Sequence, residues 1–365
     1  MTCSRHGGNR QAVAERLGCS PGALLDASAS LVPFGPPWAA RWAAWRREAC
    51  RDYPDRRYAR LRAVIAAHHG LDPAAVLPGN GAAELFTWVA REAAAAGVSL
   101  LPAPGFADYR RALATWGGRH RSLPLALSWG PAFPQPFPGL PAGEVVWITN
   151  PHNPTGQLWS RASLEPLLAR HALVIVDEAF LPLTPDGERQ SLLPLVAAHP
   201  NLVVVRSLTK LYAVAGLRLG YAVATPERLE RWAAWRDPWP VNGPAAALGE
   251  RLLADPVAVA RWQARVQRWV RQEGAWLTAQ LEELPGLRVL PSATNFLLVR
   301  GEDPQGRPRS LEPLRLALEG RQRVLLRDCR SFEGLGEAWL RIGLQGRSGH
   351  RRLLRALWRE RALLA

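Results

Sequence analysis

The sequence predicts an α/β fold, a mainly parallel sheet sandwiched by helices and followed by a smaller α+β domain. Two observations carry that prediction. Val145-Val146-Trp147-Ile148-Thr149, Leu173–Val176 and Leu202–Val205 are short apolar runs of strand length, the pattern of buried strands. The second run delivers Asp177, and a carboxylate at the C-terminal end of a buried strand suits a parallel sheet, where ligands gather. With 365 residues, the chain is long enough for one large and one small domain. The expected division is an N-terminal arm over 1–45, a large domain over 46–240 and a small domain over 241–365.

Along the chain, Arg10–Leu17 has a short helical pattern, and Leu24–Pro37 is extended and turn-rich because Pro and Gly interrupt regular structure. A helix near 46, the turn Tyr53-Pro54-Asp55 and a helix from Tyr58 to His69 follow. Leu77–Gly81 reads as a glycine-rich turn opening an Ala-rich helix, which offers free N–H groups to an anion. Val98–Leu101 is a short strand, and the Pro-rich stretch 122–143 is expected to wrap the surface. Leu219–Ala224 is a further strand, and a helix over Pro226–Trp239 leaves the large domain. Ala245–Leu284 reads as long helices, and Leu287–Leu290, Asn295–Val299, Val324–Phe332 and Trp339–Leu344 supply the small domain's extended segments.

Composition narrows the function. A net charge of +15 admits a nucleic-acid surface, but the arginines run through the whole chain and form no block. Most of the 16 Trp lie in helical stretches, as at Trp232, Trp235, Trp262 and Trp269, where packing is the expected role and base stacking the alternative. Neither a nucleic-acid nor a membrane partner is expected: there is no apolar run long enough for a membrane span, and the start lacks the apolar core of a signal peptide. Cys3, Cys19, Cys50 and Cys329 are scattered, which suggests neither a zinc site nor a disulfide framework and fits a reducing cytoplasm.

One residue stands apart. Lys210 is the sole lysine among 46 Lys and Arg. Arginine stays protonated and cannot serve as a nucleophilic amine, whereas lysine can once its pKa falls. The chemistry that needs such an amine is imine formation with an aldehyde, typically pyridoxal phosphate (PLP). The alternative is a residual surface lysine in an arginine-rich chain.

The neighbouring motifs favour the amine. Ser207-Leu208-Thr209-Lys210, continued by Gly216-Leu217-Arg218-Leu219-Gly220-Tyr221, resembles the cofactor-lysine signature of the class I/II aminotransferase family, PLP enzymes of fold type I. The resemblance implies that Lys210 holds PLP and that Ser207 and Arg218 bind its phosphate, roles that suit a hydroxyl donor and a guanidinium. Asn80-Gly81-Ala82 matches the family's phosphate cup, and Phe106 is the first choice for the aromatic that stacks on the ring, with Tyr109 as the alternative. Asn150-Pro151-His152-Asn153-Pro154-Thr155-Gly156 is highly specific for the superfamily and gives Asn153 to the ring's phenolic oxygen. Asp177 is assigned to the pyridinium nitrogen, making the ring an electron sink. Many relatives place Tyr three residues after this Asp; here Phe180 stands there and removes one hydrogen bond. Arg341, in Leu340-Arg341-Ile342, is assigned to the substrate α-carboxylate. Tyr53, in Tyr-Pro-Asp, resembles the tyrosine that histidinol-phosphate aminotransferases extend to a neighbouring subunit's PLP phosphate, which implies a homodimer.

Two stretches resemble the threonine-phosphate decarboxylase branch. One is His6-Gly7-Gly8-Asn9 followed by Asp26-Ala27-Ser28-Ala29-Ser30 and Pro33-Phe34-Gly35-Pro36-Pro37; the other is Arg327-Asp328-Cys329-Arg330-Ser331-Phe332. The resemblance puts His6, Gly7, Gly8, Ser30 and Arg327 at the substrate, with Arg327 at its phosphate. Val32 stands where those relatives usually carry Asn. The implied reaction is decarboxylation of L-threonine O-3-phosphate, a step of cobalamin biosynthesis, with Lys210 able to reprotonate Cα. Transamination of histidinol phosphate is the alternative. A regulator that uses the same fold to bind DNA is the third reading, and the 45 residues before the large domain are too few for its DNA-binding domain.

Overall fold

The computed structural model describes residues 7–37 and 46–364. The arm carries helix α1 (Arg10–Arg16) and the short strand β1 (Leu25–Asp26). Next come α2 (Arg46–Arg51), α3 (Ala59–His69), β2 (Val76–Asn80), α4 (Gly81–Ala96), β3 (Ser99–Ala103), α5 (Asp108–Thr115) and β4 (His120–Pro124). They are followed by β5 (Gly143–Thr149), α6 (Arg161–Leu164), β6 (His171–Asp177), β7 (Leu202–Ser207), α7 (Leu208–Leu211), β8 (Leu219–Val223) and α8 (Pro226–Trp235). The rest of the chain forms α9 (Gly243–Leu253), α10 (Pro256–Glu282), β9 (Leu287–Val289), β10 (Phe296–Gly301), α11 (Glu312–Gly320), β11 (Val324–Leu325), β12 (Arg327–Asp328), β13 (Trp339–Gly343) and α12 (Arg347–Arg359).

Seven strands form one sheet in the order β2-β8-β7-β6-β5-β3-β4, and only β8 runs against its neighbours. The apolar runs are continuous because both faces of this sheet are covered. Val145 and Trp147 of β5 pack with Leu85 and Val89 of α4 and Trp232 of α8. Val146 and Ile148, pointing the other way, pack with Leu61 and Ile65 of α3 and Trp262 and Val266 of α10. Trp232 and Trp262 are therefore core residues, and Trp235 carries the Arg91 guanidinium 3.9 Å from its ring centre.

A second sheet, β12-β13-β10-β9, is antiparallel throughout. The arm joins this part of the molecule: β1 pairs in parallel with β11, Leu25 opposite Val324.

The structure departs from the sequence reading at several elements. Val76–Asn80 is a strand rather than a turn; it lies at the sheet edge, where Pro78 loses little by lacking an N–H. Ser122–Pro124, expected to start a surface wrap, belong to the opposite edge strand, β4. The long helices expected over 245–284 are α9 and α10, and they part at Asp255, whose side chain accepts from the N–H groups of Val257 (2.9 Å) and Ala258 (3.1 Å), with Pro256 at the first helical position. Helix α9 lies beyond the boundary drawn at 240, yet it still packs on α3 and β8 of the large sheet's layer. Val32 is buried in the apolar core, 2% exposed, so a polar substrate contact at that position is absent.

Candidate active site

A cavity of about 220 Å³ opens where the strands of the large sheet end and the small antiparallel sheet meets them. Gly7, Ser30, Ala82, Phe106, Asn153, Asp177, Ser207, Lys210, Arg218, Arg327 and Arg341 all line it. These eleven come from positions spread from the arm to the last strand, and the fold alone brings them together.

Asp177 is the last residue of β6 and is buried. Its carboxylate accepts from the Tyr109 hydroxyl at 2.7 Å and the Ala179 N–H at 3.0 Å. Burial still dominates and raises its pKa to about 6, against the lowering by those two bonds and by Lys210. A desolvated carboxylate in this state is matched to a cationic partner. Tyr109 also pairs with the Thr149 hydroxyl at 2.8 Å and is 4% exposed, so it lies in the core behind Asp177, while Phe106 reaches the cavity wall.

Ser207 ends β7 and caps α7, its hydroxyl accepting from the Thr209 N–H at 3.3 Å and pairing with the Thr209 hydroxyl at 2.7 Å. That short helix carries Lys210. Burial first, then the cations of Arg341 and Arg218, lower the lysine's pKa to about 8, with Asp177 opposing them. Its Nζ lies 5.6 Å from the centre of the Phe180 ring, which packs edge-on against Phe296 at 5.2 Å. No tyrosine hydroxyl occupies the Phe180 position.

Helix α4 starts at Gly81, with φ +74°. A Cβ there would run into the Arg218 guanidinium, so the glycine is what lets that cation lie across the helix start. Arg218 itself holds a left-handed φ of 56°, a strained backbone of the kind found at ligand sites. The first N–H groups of α4, the Ser207 hydroxyl and Arg218 could cradle a phosphate.

The opposite wall is cationic. Arg341 on β13 donates to the Asn153 side-chain oxygen and, at 3.3 Å, to the Ser28 carbonyl, while its Nε is buried without a protein partner. Arg327 on β12 is 4% exposed and donates to the Ser331 hydroxyl at 2.5 Å. The Phe332 ring lies between them, 5.2 Å from the Arg327 guanidinium carbon and 5.9 Å from that of Arg341. Burial and the nearby Arg327 lower the pKa of Arg341 to about 10. The Ser30 hydroxyl lines the cavity and is buried without a protein partner. Gly7 packs so tightly on the Ser28 carbonyl that a Cβ would collide with it.

Three more expected residues lie elsewhere. Asn80 is exposed ahead of α4 and off the cavity wall, its N–H donating to Glu84 at 2.7 Å. Gly8 is outside the wall and supports the arm, its N–H donating to the Ser28 hydroxyl at 3.0 Å. Tyr53 is 80% exposed and packs on Trp239, away from this chain's own cavity. His6 lies outside the described residues. The cavity also uses Ser28, Thr209 and Phe332, which the sequence reading did not select as site residues. Thr209 was detectable from its place inside Ser-x-x-Lys, and Ser28 and Phe332 from their places inside the two stretches that supply Ser30 and Arg327.

The comparisons with known proteins agree with this geometry. The family model for aminotransferase class I and II matches residues 34–357. The chain is 35% identical to the threonine-phosphate decarboxylase of Salmonella typhimurium, over 97% of this chain and 96% of that protein. It is also 35% identical to the histidinol-phosphate aminotransferase of Symbiobacterium thermophilum, over 89% of this chain and 87% of that protein. Among solved structures, L-threonine-O-3-phosphate decarboxylase from Porphyromonas gingivalis superposes with a TM-score of 0.77 at 25% identity, covering 91% of this chain and 98% of that one. The buried carboxylate, the lone amine with a lowered pKa and the phosphate cradle fit pyridoxal 5'-phosphate, the cofactor of this family. The chain belongs to the aminotransferase class I and II family and is a PLP-dependent enzyme of fold type I.

Proposed function

We propose that this enzyme decarboxylates L-threonine O-3-phosphate to (R)-1-amino-2-propanol O-2-phosphate and CO2, a reaction of cobalamin biosynthesis. The observation that carries the reading is the pair of buried arginines, Arg327 and Arg341, on one wall of the cavity that holds Lys210 and Asp177. Threonine phosphate presents a carboxylate and a phosphate, and burying two anions calls for two cationic partners. Arg341 would take the carboxylate and Arg327 the phosphate, with the Ser30 hydroxyl as a further donor.

Bound PLP supplies an aldehyde for the substrate amine and a ring that accepts the electrons of the broken bond. The chain does the rest. Asp177 would hold the ring nitrogen in its protonated form, and Ser207, Arg218 and the start of α4 would hold the phosphate. Phe106 would cover one face of the ring, and Asn153 its phenolic oxygen. Lys210 would hold on Nζ the proton that passes to Cα; with a pKa of about 8 it can both give and regain that proton near neutrality.

A second reading has equal identity behind it: transamination of histidinol phosphate. The same two cations fit glutamate, the amino donor of that reaction, which carries two carboxylates. The test is an assay of purified holoenzyme with threonine phosphate, following CO2 release and the phosphorylated amine, beside an assay with histidinol phosphate and 2-oxoglutarate. Turnover of the first substrate without the second supports the decarboxylase. Glutamate formation from the second, with threonine phosphate untouched, establishes the aminotransferase. The site is further proposed to be completed in a homodimer, with Tyr53 of each subunit serving its partner.

A further inference from the structure

A second buried charge cluster lies directly behind the cavity. The strands β6 and β7 are parallel neighbours whose last ladder pair is Asp177 opposite Val205. Beyond it the Glu178 N–H still donates to the Val205 carbonyl at 2.9 Å, and then the strands part. One continues into the turn around Leu181–Leu183 and the other into α7. Side chains alternate along a strand, so Asp177 and Ser207 line the cavity while Glu178 and Arg206 do not.

Those two residues meet each other instead. Arg206 Nε donates to Glu178 Oε2 at 2.8 Å, and the side chains are 1% and 0% exposed. The remaining guanidinium donors reach Glu188 at 2.8 and 2.9 Å and the Ser191 hydroxyl at 3.0 Å. Glu178 also accepts from the Leu192 N–H at 2.9 Å and the Ser191 hydroxyl at 2.8 Å. Stability alone gives little reason for such a pair, because desolvating two charges costs as much as their attraction returns, and apolar substitutes often serve as well. What a fully bonded fork adds is a fixed distance between two backbones. It sits one residue from Asp177 on one strand, one residue from Ser207 on the other and four from Lys210.

We propose that Arg206 and Glu178 are a positioning pair: they set the gap between Asp177, which anchors the ring nitrogen, and the Ser207–Lys210 turn, which anchors the phosphate and the amine. The inference rests on those cofactor roles. The pair touches neither cofactor nor substrate and acts through its chain neighbours.

The test uses two variants with different defects. Arg206→Lys keeps the charge but has no fork to span Glu178 and Glu188. Glu178→Gln keeps the shape and an acceptor for the Leu192 N–H but loses the charge. Both are measured for thermal midpoint, PLP dissociation constant from the stripped protein, visible spectrum at fixed pH, and kcat and KM on whichever substrate the wild type turns over. At least one variant is expected to fold with a midpoint within a few degrees of wild type. In it PLP should bind about tenfold more weakly, the visible band should change in position or intensity, and kcat should fall while KM stays within about twofold. Wild-type PLP affinity, spectrum and kcat in a folded variant overturn the proposal. Failure of both variants to fold also overturns it, since the pair is then a stability element. If wild type itself shows no Lys210-dependent visible band, the cofactor assignment has failed and takes this inference with it, an outcome distinct from the other two.

Discussion

At the scale of single residues, the site works by holding two titratable groups away from their ordinary states. Lys210 has its pKa lowered to about 8 by burial and by Arg341 and Arg218. An amine attacks an aldehyde only when neutral, which Nζ is above its pKa and not below it. Uptake of PLP by the stripped enzyme should therefore accelerate between about pH 7 and pH 9 and level off above, with a midpoint near 8. Rapid-mixing absorbance measures this, and a rate that is flat over that range contradicts the assignment. Lys210→Ala should show no visible band and no turnover. Asp177 is shifted the other way, to about 6, by burial. Asp177→Asn removes a desolvated charge, so the stripped variant should melt no lower than wild type at pH 8. Activity should nevertheless fall by about 10- to 150-fold, because a charge-assisted bond to a ring cation is worth about 1.5–3 kcal/mol. Near-wild-type turnover would mean that ring protonation is dispensable or that a different carboxylate does the work. Both residues were legible in the sequence because each sits inside a motif, Ser-x-x-Lys or a buried strand ending in Asp. Phe332 was not assigned a role, because a ring between two arginines exists only after β12 and β13 pair.

At the scale of elements, the cavity depends on where helices begin and strands end. Helix α4 must begin with a residue that accepts φ +74° and leaves room for Arg218. Gly81→Ala should strain that turn and displace the guanidinium, weakening PLP binding by about tenfold or more while the fold persists. Titration of the stripped variant with PLP reads this directly, and unchanged affinity would remove α4 from the phosphate cradle. Strand β12 carries Arg327 from the small antiparallel sheet. Arg327→Ala should lower kcat/KM for threonine phosphate by about 10- to 150-fold and leave PLP affinity unchanged. Undiminished turnover would show that another group holds the substrate phosphate. Elements buried on both faces were the ones the sequence displayed well, since β5, β6 and β7 each contain an unbroken apolar run. The edges were hidden. Strand β2 contains Pro78 and Gly79, and β4 ends in Pro124, so both imitate turns until a neighbour supplies their ladder bonds. The boundary between α9 and α10 is written in the sequence at Asp255-Pro256, a cap followed by proline.

At the scale of the whole molecule, a site assembled from the arm, the large sheet and the small sheet leaves Tyr53 out at the surface. Tyr53 is 80% exposed and rests on Trp239 at a ring separation of 4.6 Å, with the Arg56 guanidinium 5.1 Å from the same indole. A tyrosine and a tryptophan paired at the surface have a phenol hydroxyl and apolar area to offer to another chain. In a two-fold dimer a residue that cannot serve its own cavity can serve its partner's, and the partner reciprocates. Light scattering should accordingly report a dimer, and Tyr53→Ala should weaken PLP binding although every cavity-lining residue is intact. The decisive experiment mixes two defective chains. Tyr53→Ala has a good lysine and lacks the tyrosine; Lys210→Ala has the tyrosine and lacks the lysine. When the two are unfolded and refolded together, or expressed together, a mixed dimer contains one site built from Lys210 of one chain and Tyr53 of the other. Random pairing makes half the dimers mixed, each with one intact site in two, so activity should recover to about a quarter of wild type. If Tyr53 instead acted on its own chain's cofactor, each site in the mixed dimer would still carry one defect. Activity would then stay at the level of the separate variants, and the shared-site arrangement would be excluded.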